Sequence, residues 1–351
     1  MAATTINSIT EAVEAIQAIS QPFRTAWNDQ LGFNDYTIQK LTSSKMTYPG
    51  TGRIRIPFNG TPSSGGGFSG GSMDATPTAQ NDLTAVEATD FKLWAGVTYN
   101  YEEIMDTGFD PNRLLDLVKF REELARNTMD SDIAALLFDN GSGSTYTYTH
   151  PKFGSRTILT PKPFYGIPYH INTGGDTGTW LGMNRASDTA LQHYVASTAT
   201  SISTVGSESL HLRDISRDMM SCASGTSGTD EPDLILTTKN LYSWFEQELS
   251  ETNTSGRIVV MPNNGMGAAG FEGGLQYRKA TIVWSPYCTS GYIYYINTKF
   301  MQLYKHKAGV MPGEKMELEN QAGFIQRFYT GLQLISTRNN AHGLRYNITG
   351  G

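Results

Sequence analysis

The sequence predicts an α+β chain whose helices and strands occupy separate stretches. Three observations carry that prediction. Residues 110–139 have the pattern of one long amphipathic helix. Residues 46–99 set two strand-like flanks around a long middle rich in Gly, Ser, Thr and Pro. A mixed helix-and-strand region then covers 181–305, and everything beyond 316 reads as strand.

The N-terminus opens with a short helix. Ser8 and Glu11 have capping-box spacing, and Ile6, Ile9, Val13, Ile16 and Ile19 share one face. Pro22 and Phe23 end it. A short helix with one apolar face does not bury that face alone, so it must dock on a body or a neighbour. In the next segment, the flanks 52–58 and 88–99 are strand-like, and 59–86 lies between them. A structureless insert longer than about 12–15 residues is rare in a compact domain unless it is functional. An extended two-stranded loop is also marginal on its own. Lying across another subunit satisfies both constraints.

For the long helix, Asp110 is the expected cap and Pro111 suits the first turn, with Asn140-Gly141 as the stop. Leu114, Leu117, Val118, Leu124, Ala125, Met129, Ile133 and Leu136 make its apolar half, on which Glu122 and Asp132 intrude. Thirty residues give a rod of about 45 Å. Short strands are expected within 140–180. Helices are expected at 187–201, 207–221 and 238–251, with strands at 233–237, 257–261, 275–284 and 291–304. Closing strands are expected at 316–320, 324–330, 332–337 and 343–348.

Composition narrows the function. Only 17% of the 351 residues are charged, and there are 36 glycines. A soluble monomer usually carries about 25–35% charged residues on its surface. A weakly charged chain whose apolar content is heavily aromatic is suited to having part of its surface covered by other chains. The net charge of −6 and the lack of a basic tail argue against tight nucleic-acid binding, which needs clustered Lys and Arg. With no signal peptide and no 18-residue apolar run, neither export by that route nor a membrane span is expected. Cys222 and Cys288 are isolated, which predicts ordinary thiols rather than a disulfide framework. The six histidines show no zinc-site spacing and are expected at the surface or in hydrogen bonds, so no metal or cofactor is expected.

Two catalytic spacings fail on context. Residues 265–270, GMGAAG, fit a dinucleotide-binding turn and follow a strand-like run. However, Gly273 and Gly274 fall where the helix should start, and no acid stands about 20 positions on. Gly67-Phe68-Ser69-Gly70-Gly71 has the spacing of a hydrolase elbow, but without the buried strand and helix that would hold Ser69 still. No catalytic residue is assigned.

The order of parts resembles the major capsid proteins of tailed bacteriophages with the Hong Kong 97-type fold. Residues 91–104, FKLWAGVTYNYEEI, look like the returning strand of the family's extended loop entering the spine helix. LARNTMDSDIAALLFDN at 124–140 looks like that helix's end. Residues 181–185, LGMNR, resemble the entry to the following domain, 233–245 its strand-then-helix, and 295–298 a late strand. The resemblance implies an N-terminal arm at 1–45 and an extended loop at 46–99. It also implies a peripheral domain with a long spine helix at 100–180 and 306–351, and an axial domain at 181–305.

It implies a function without catalysis. Copies form pentamers and hexamers and close an icosahedral shell around double-stranded DNA, which the shell contacts non-specifically. The place is the virion head, assembled in the host cytoplasm, with a portal and in some cases a decoration protein. Ile54, Ile56, Phe58 and Phe68 on the extended loop are the expected subunit contacts. Lys92 lies near the base of the loop, so covalent cross-linking through a loop lysine is not expected. The short arm favours a separate scaffolding protein. The alternatives are an encapsulin-like compartment or a carbohydrate-active enzyme. The latter needs paired buried acids, whereas Glu102-Glu103 and Glu122-Glu123 fall on helix faces.

Overall fold

The computed structural model describes residues 35–42, 47–48, 53–59, 83–108, 110–141, 143–151, 154–160, 162–187, 189–197, 199–202, 209–223, 230–251, 275–317 and 322–350, with positions 11, 12, 14 and 16. Positions 11, 12, 14 and 16 are helical, and Ala12 and Ile16 are buried in the main core. The expected strand at 257–261 and both glycine-rich spacings lie outside the described residues.

Two sheets organise the chain. In the five-stranded sheet the central strand is β17 (Gly323–Ser336), 14 residues long. One edge of β17 pairs antiparallel with β16 (Met311–Glu317) and then with β15 (Met301–His306), which in turn carries the two-residue β1 (Thr47–Tyr48). The other edge pairs from Gly323 to Leu332 with β4 (Phe91–Asn100). The sequence predicted a break at Gly331, but the strand runs through it. A Cβ there would stand 2.5 Å from the Tyr48 hydroxyl, so this glycine serves close approach and not a turn.

β4 alternates buried and exposed along its whole length, placing Phe91, Leu93, Ala95, Val97 and Tyr99 inward. The spine helix, Pro111–Leu136, packs on that face. Its cap is as predicted, because the Asp110 side chain accepts the Asn112 N–H at 3.0 Å. Its 26 residues span about 39 Å, one turn less than expected. The buried stripe is Leu114, Val118, Glu122, Ala125, Met129, Ile133 and Leu136. Leu124 is a correction: it is 48% exposed. At 100° per residue it stands about 120° round the helix from the centre of that stripe.

The six-stranded sheet has the order β12 (Leu275–Tyr277), β13 (Ala280–Trp284), β11 (Leu234–Thr237), β14 (Ile293–Ile296), β18 (Gly343–Arg345), β9 (Tyr194–Ala196). Helices Leu212–Ser221 and Lys239–Glu251 cover one face through Ile215, Met219, Leu241 and Phe245, against Ile235, Ile282 and Tyr295. The other face, with Leu234, Leu236, Tyr294 and Ile296, joins the core beneath the spine helix.

Three further expectations change. The helix expected at 187–201 is a 3-10 turn, Arg185–Ser187, followed by β9 and a second short strand, because β18 offers a parallel partner for Tyr194–Ala196. The strand expected at 275–284 is a hairpin that turns at Arg278 with φ of 55°. The Arg278 guanidinium fixes that turn by donating to Glu231 at 2.7 Å and to Ser216 at 2.8 Å. The run expected over 291–304 is two strands in different sheets, β14 and β15.

Candidate assembly interface

The extended hairpin pairs β2 (Arg53–Asn59) with β3 (Leu83–Thr89) from Arg53↔Thr89 to Asn59↔Leu83. Glu87 accepts from Arg53 at 2.8 Å and from Arg55 at 2.9 Å across the pair, and these hydrogen bonds lower its pKa. At the hairpin's base Asp90, buried between β3 and β4, receives Lys162 at 3.2 Å. Of the expected contact residues, Ile54 is buried in its own chain with Tyr48, Ala88 and Ile335. Ile56 and Phe58 lie on β2 opposite Val86 and Thr84, and Phe68 falls outside the described residues.

A second hairpin stands beside the spine helix: β5 (Thr145–His150) and β6 (Gly154–Leu159). Asp132 ties it down, and this explains the intrusion on the helix stripe. Its buried carboxylate accepts Arg156 Nε at 3.1 Å and Arg156 Nη2 at 3.0 Å, and also the Tyr148 hydroxyl. Burial, reinforced by Asp132, pushes the Tyr148 phenol up. Tyr148 meets the Tyr287 ring edge-on at 5.3 Å, which connects the hairpin to the loop after β13.

Between this hairpin, the spine helix and β4 runs a cleft of about 410 Å³. Among the described residues β4 pairs only with β17, so its other edge lies open along this cleft. Trp94, Leu124 and Leu159 line it, at 47%, 48% and 67% exposed, and Phe120 on the helix is 65% exposed. A second cleft of about 590 Å³ lies on the other side of Leu124, toward His150 and Pro286. Asp132 is the one carboxylate lining either cleft, and Arg156 and Tyr148 already engage it.

The outward face of the five-stranded sheet continues the apolar surface. Register places Trp94, Tyr329 and Met311 in one row and Thr98, Ile325 and Met316 in another. Gly96 lies between the rows, where a Cβ would meet Ile325 Cδ1 at 2.9 Å. The Arg327 guanidinium lies 5.1 Å from the Trp94 ring centroid. Sequence reasoning found the strand but missed this surface, although the alternation of large residues at 91–99 marks two faces.

Among the described residues no three His, Cys, Asp or Glu side chains group as a metal site would, and no helix is long and apolar enough to cross a membrane. Cys222 and Cys288 are buried free thiols.

A sheet backed by a spine helix, an extended hairpin at its base and a second helix-flanked sheet together make an α+β chain of the Hong Kong 97-type fold. No protein-family model matches the sequence, and no curated protein matches it. Solved structures match by shape. The capsid of cyanophage A-1(L) aligns with a TM-score of 0.60 at 13% identity, over 89% of this chain and 93% of that chain. The capsid of the native GTA particle aligns at 0.54 and 9% identity, over 88% and 91%. The SrpI encapsulin complex from Synechococcus elongatus aligns at 0.50 and 10% identity, over 89% and 88%. Identities this low show the shared fold.

Proposed function

We propose that the chain is the major capsid protein of a tailed bacteriophage and closes an icosahedral head around double-stranded DNA. The observation that supports this most is the near end-to-end alignment with the cyanophage capsid. Residues 1–45 act as the arm, 46–99 as the extended loop, 100–180 and 306–351 as the peripheral domain, and 181–305 as the axial domain. Copies meet as pentamers and hexamers. The exposed strip Trp94, Phe120, Leu124 and Leu159 and the loop residues Ile56, Phe58 and Phe68 supply contacts between them, and Ile54 holds the base of the loop. A scaffolding protein, a portal and a decoration protein are the expected partners, with no membrane involved. The acidic balance suits non-specific contact with DNA, since a lining that gripped phosphates would oppose packing and ejection.

The encapsulin alignment supports a second reading, a protein compartment loaded with a cargo enzyme. One experiment separates the two. The protein is purified as particles after expression beside its neighbouring genes and imaged by electron microscopy, and the contents are tested with nuclease and by mass spectrometry. Closed heads with a portal vertex and nuclease-protected DNA support the capsid reading. Shells that hold one enzyme and no DNA support the compartment. A monomer that forms no particle under any condition refutes both.

A further inference from the structure

Just past the end of the spine helix, residues 138–140, β5, the segment 168–173 and the residues that lead into β14 surround a cleft of about 420 Å³. That is space for a small organic molecule. Its walls carry four aromatic rings, those of Phe138, Tyr146, Tyr292 and Tyr294. The Tyr294 ring lies 6.0 Å from Tyr292 and 6.4 Å from Phe138, centroid to centroid, so three of the four make one continuous aromatic wall. Thr145, Asn172 and Thr289 add polar oxygens to the lining.

One charged group stands among these rings. Asp139 lines the cleft and is only 6% exposed. Its carboxylate accepts the Gly141 N–H at 3.2 Å, and the Asn140 N–H also favours its charged form. Among the described residues no Lys, Arg or His lines the cleft, and no basic side chain pairs with Asp139. Burial, acting against those two N–H groups, holds the carboxyl above the ordinary carboxylate range. Tyr146 feels the same charge: burial first and then Asp139 push its phenol up to about 12. The helix end adds to the demand for a cation. Its terminal carbonyls carry about half a negative charge, and its last turn has no basic residue to offset it.

We propose that this cleft binds a primary alkylammonium compound, with the ammonium group against Asp139 and the helix end and the carbon chain along the rings of Tyr146, Tyr292 and Tyr294. Each part of the ligand answers a part of the wall. The positive head gives the buried carboxylate the charge-assisted partner that it lacks. Its remaining N–H groups have oxygens of Thr145, Asn172 and Thr289 to donate to. Aromatic rings attract a neighbouring cation, and they shield the alkyl chain from water. A metal ion suits the cleft less, because a hard cation takes about six or more oxygen ligands and a single carboxylate is present. A neutral ligand would leave the carboxylate buried without a counter-charge, which is costly.

The test is calorimetric titration of the full, unassembled chain with butylamine at about pH 7, with ionic strength matched throughout. The expected result is saturable binding with a Kd of about 1 mM or tighter, and a rise in melting temperature at saturation. 1-Butanol carries the same chain without the charge and should bind roughly tenfold or more weakly. Asp139→Asn keeps an oxygen for the Gly141 N–H and removes the charge, so it should fold and lose butylamine affinity by roughly tenfold or more. Thr173→Trp, at an exposed position of the lining, fills the cleft and should abolish binding, which keeps the site testable if Asp139→Asn does not fold. Absence of saturable binding overturns the proposal. Equal binding of 1-butanol also overturns it, since the cleft would then be an apolar pocket only. Unchanged affinity in Asp139→Asn or Thr173→Trp would place the amine elsewhere and refute the site.

Discussion

Leu124 and Met129 sit five residues apart on one helix, and the structure gives them opposite duties. Met129 is fully buried and Leu124 is 48% exposed between two clefts. Met129→Ala leaves a cavity under β4 and should cost about 2–5 kcal/mol of folding stability. Fully burying a leucine side chain is worth about 1.5–3 kcal/mol, and about half of this one is already buried, so Leu124→Ala should cost about 1 kcal/mol or less. The other half, about 1 kcal/mol, becomes available only when a neighbour covers the cleft. That corresponds to roughly a fivefold rise in the protein concentration at which particles form. Leu124→Asp should raise it much further by placing a charge in the contact. Folding is read by urea unfolding of the unassembled chain, and assembly by light scattering and electron microscopy. A loss of more than about 2 kcal/mol for Leu124→Ala would show that the helix is rotated from its observed setting. An unchanged threshold for Leu124→Asp would remove this cleft from the assembly interface.

Three other outcomes are expected. Asp218→Ala strands Arg345, whose Nε lies 2.6 Å from that carboxylate, and also removes the acceptor of Tyr194 and Tyr295. Urea unfolding should show a loss of about 3–5 kcal/mol, and Arg345→Met in the same chain should restore part of it. Gly166→Ala drives a methyl into the backbone at the spine helix end, 2.8 Å from the Leu136 and Leu137 carbonyls and closer still to Asp139. It should lower stability by about 1–3 kcal/mol, and an unchanged melting temperature would refute the close approach. Replacing 60–82 with a two-residue turn should leave near-native circular dichroism but no closed shells, whereas normal particles would make the loop dispensable.

What the sequence revealed follows from the range of each interaction. The cap at Asp110 and the alternation along β4 are local, and both were legible, while the helix stops at Leu136, a turn before the expected stop at Asn140. Asp132 looked like a flaw in the helix pattern because its partners, Tyr148 and Arg156, stand 16 and 24 residues on. The stretch 187–201 read as helix, and only β18, about 150 residues away, makes Tyr194–Ala196 a strand. Gly331 looked like punctuation and is instead the place where Tyr48 approaches the sheet. The histidines were expected at the surface or in hydrogen bonds. Three of them, His170, His193 and His342, are hydrogen-bonded and buried, whereas His211 is exposed, and nothing local marks 170, 193 and 342 as interior positions.

Two buried polar clusters differ in how their charge is compensated. Around Asp218 every oxygen is met by a guanidinium or phenol donor, and the groups come from β9, β14, β18 and the helix Leu212–Ser221. That cluster fastens one sheet to its own helix, with the charges of Arg345 and Asp218 compensating each other. The cluster around Arg185 lies within the single stretch 169–193 and has no carboxylate among its hydrogen-bond partners. Charge is placed differently in the two: an ion pair joins strands to a helix around Asp218, whereas Arg185 is held by three carbonyls and one imidazole of its own stretch of chain.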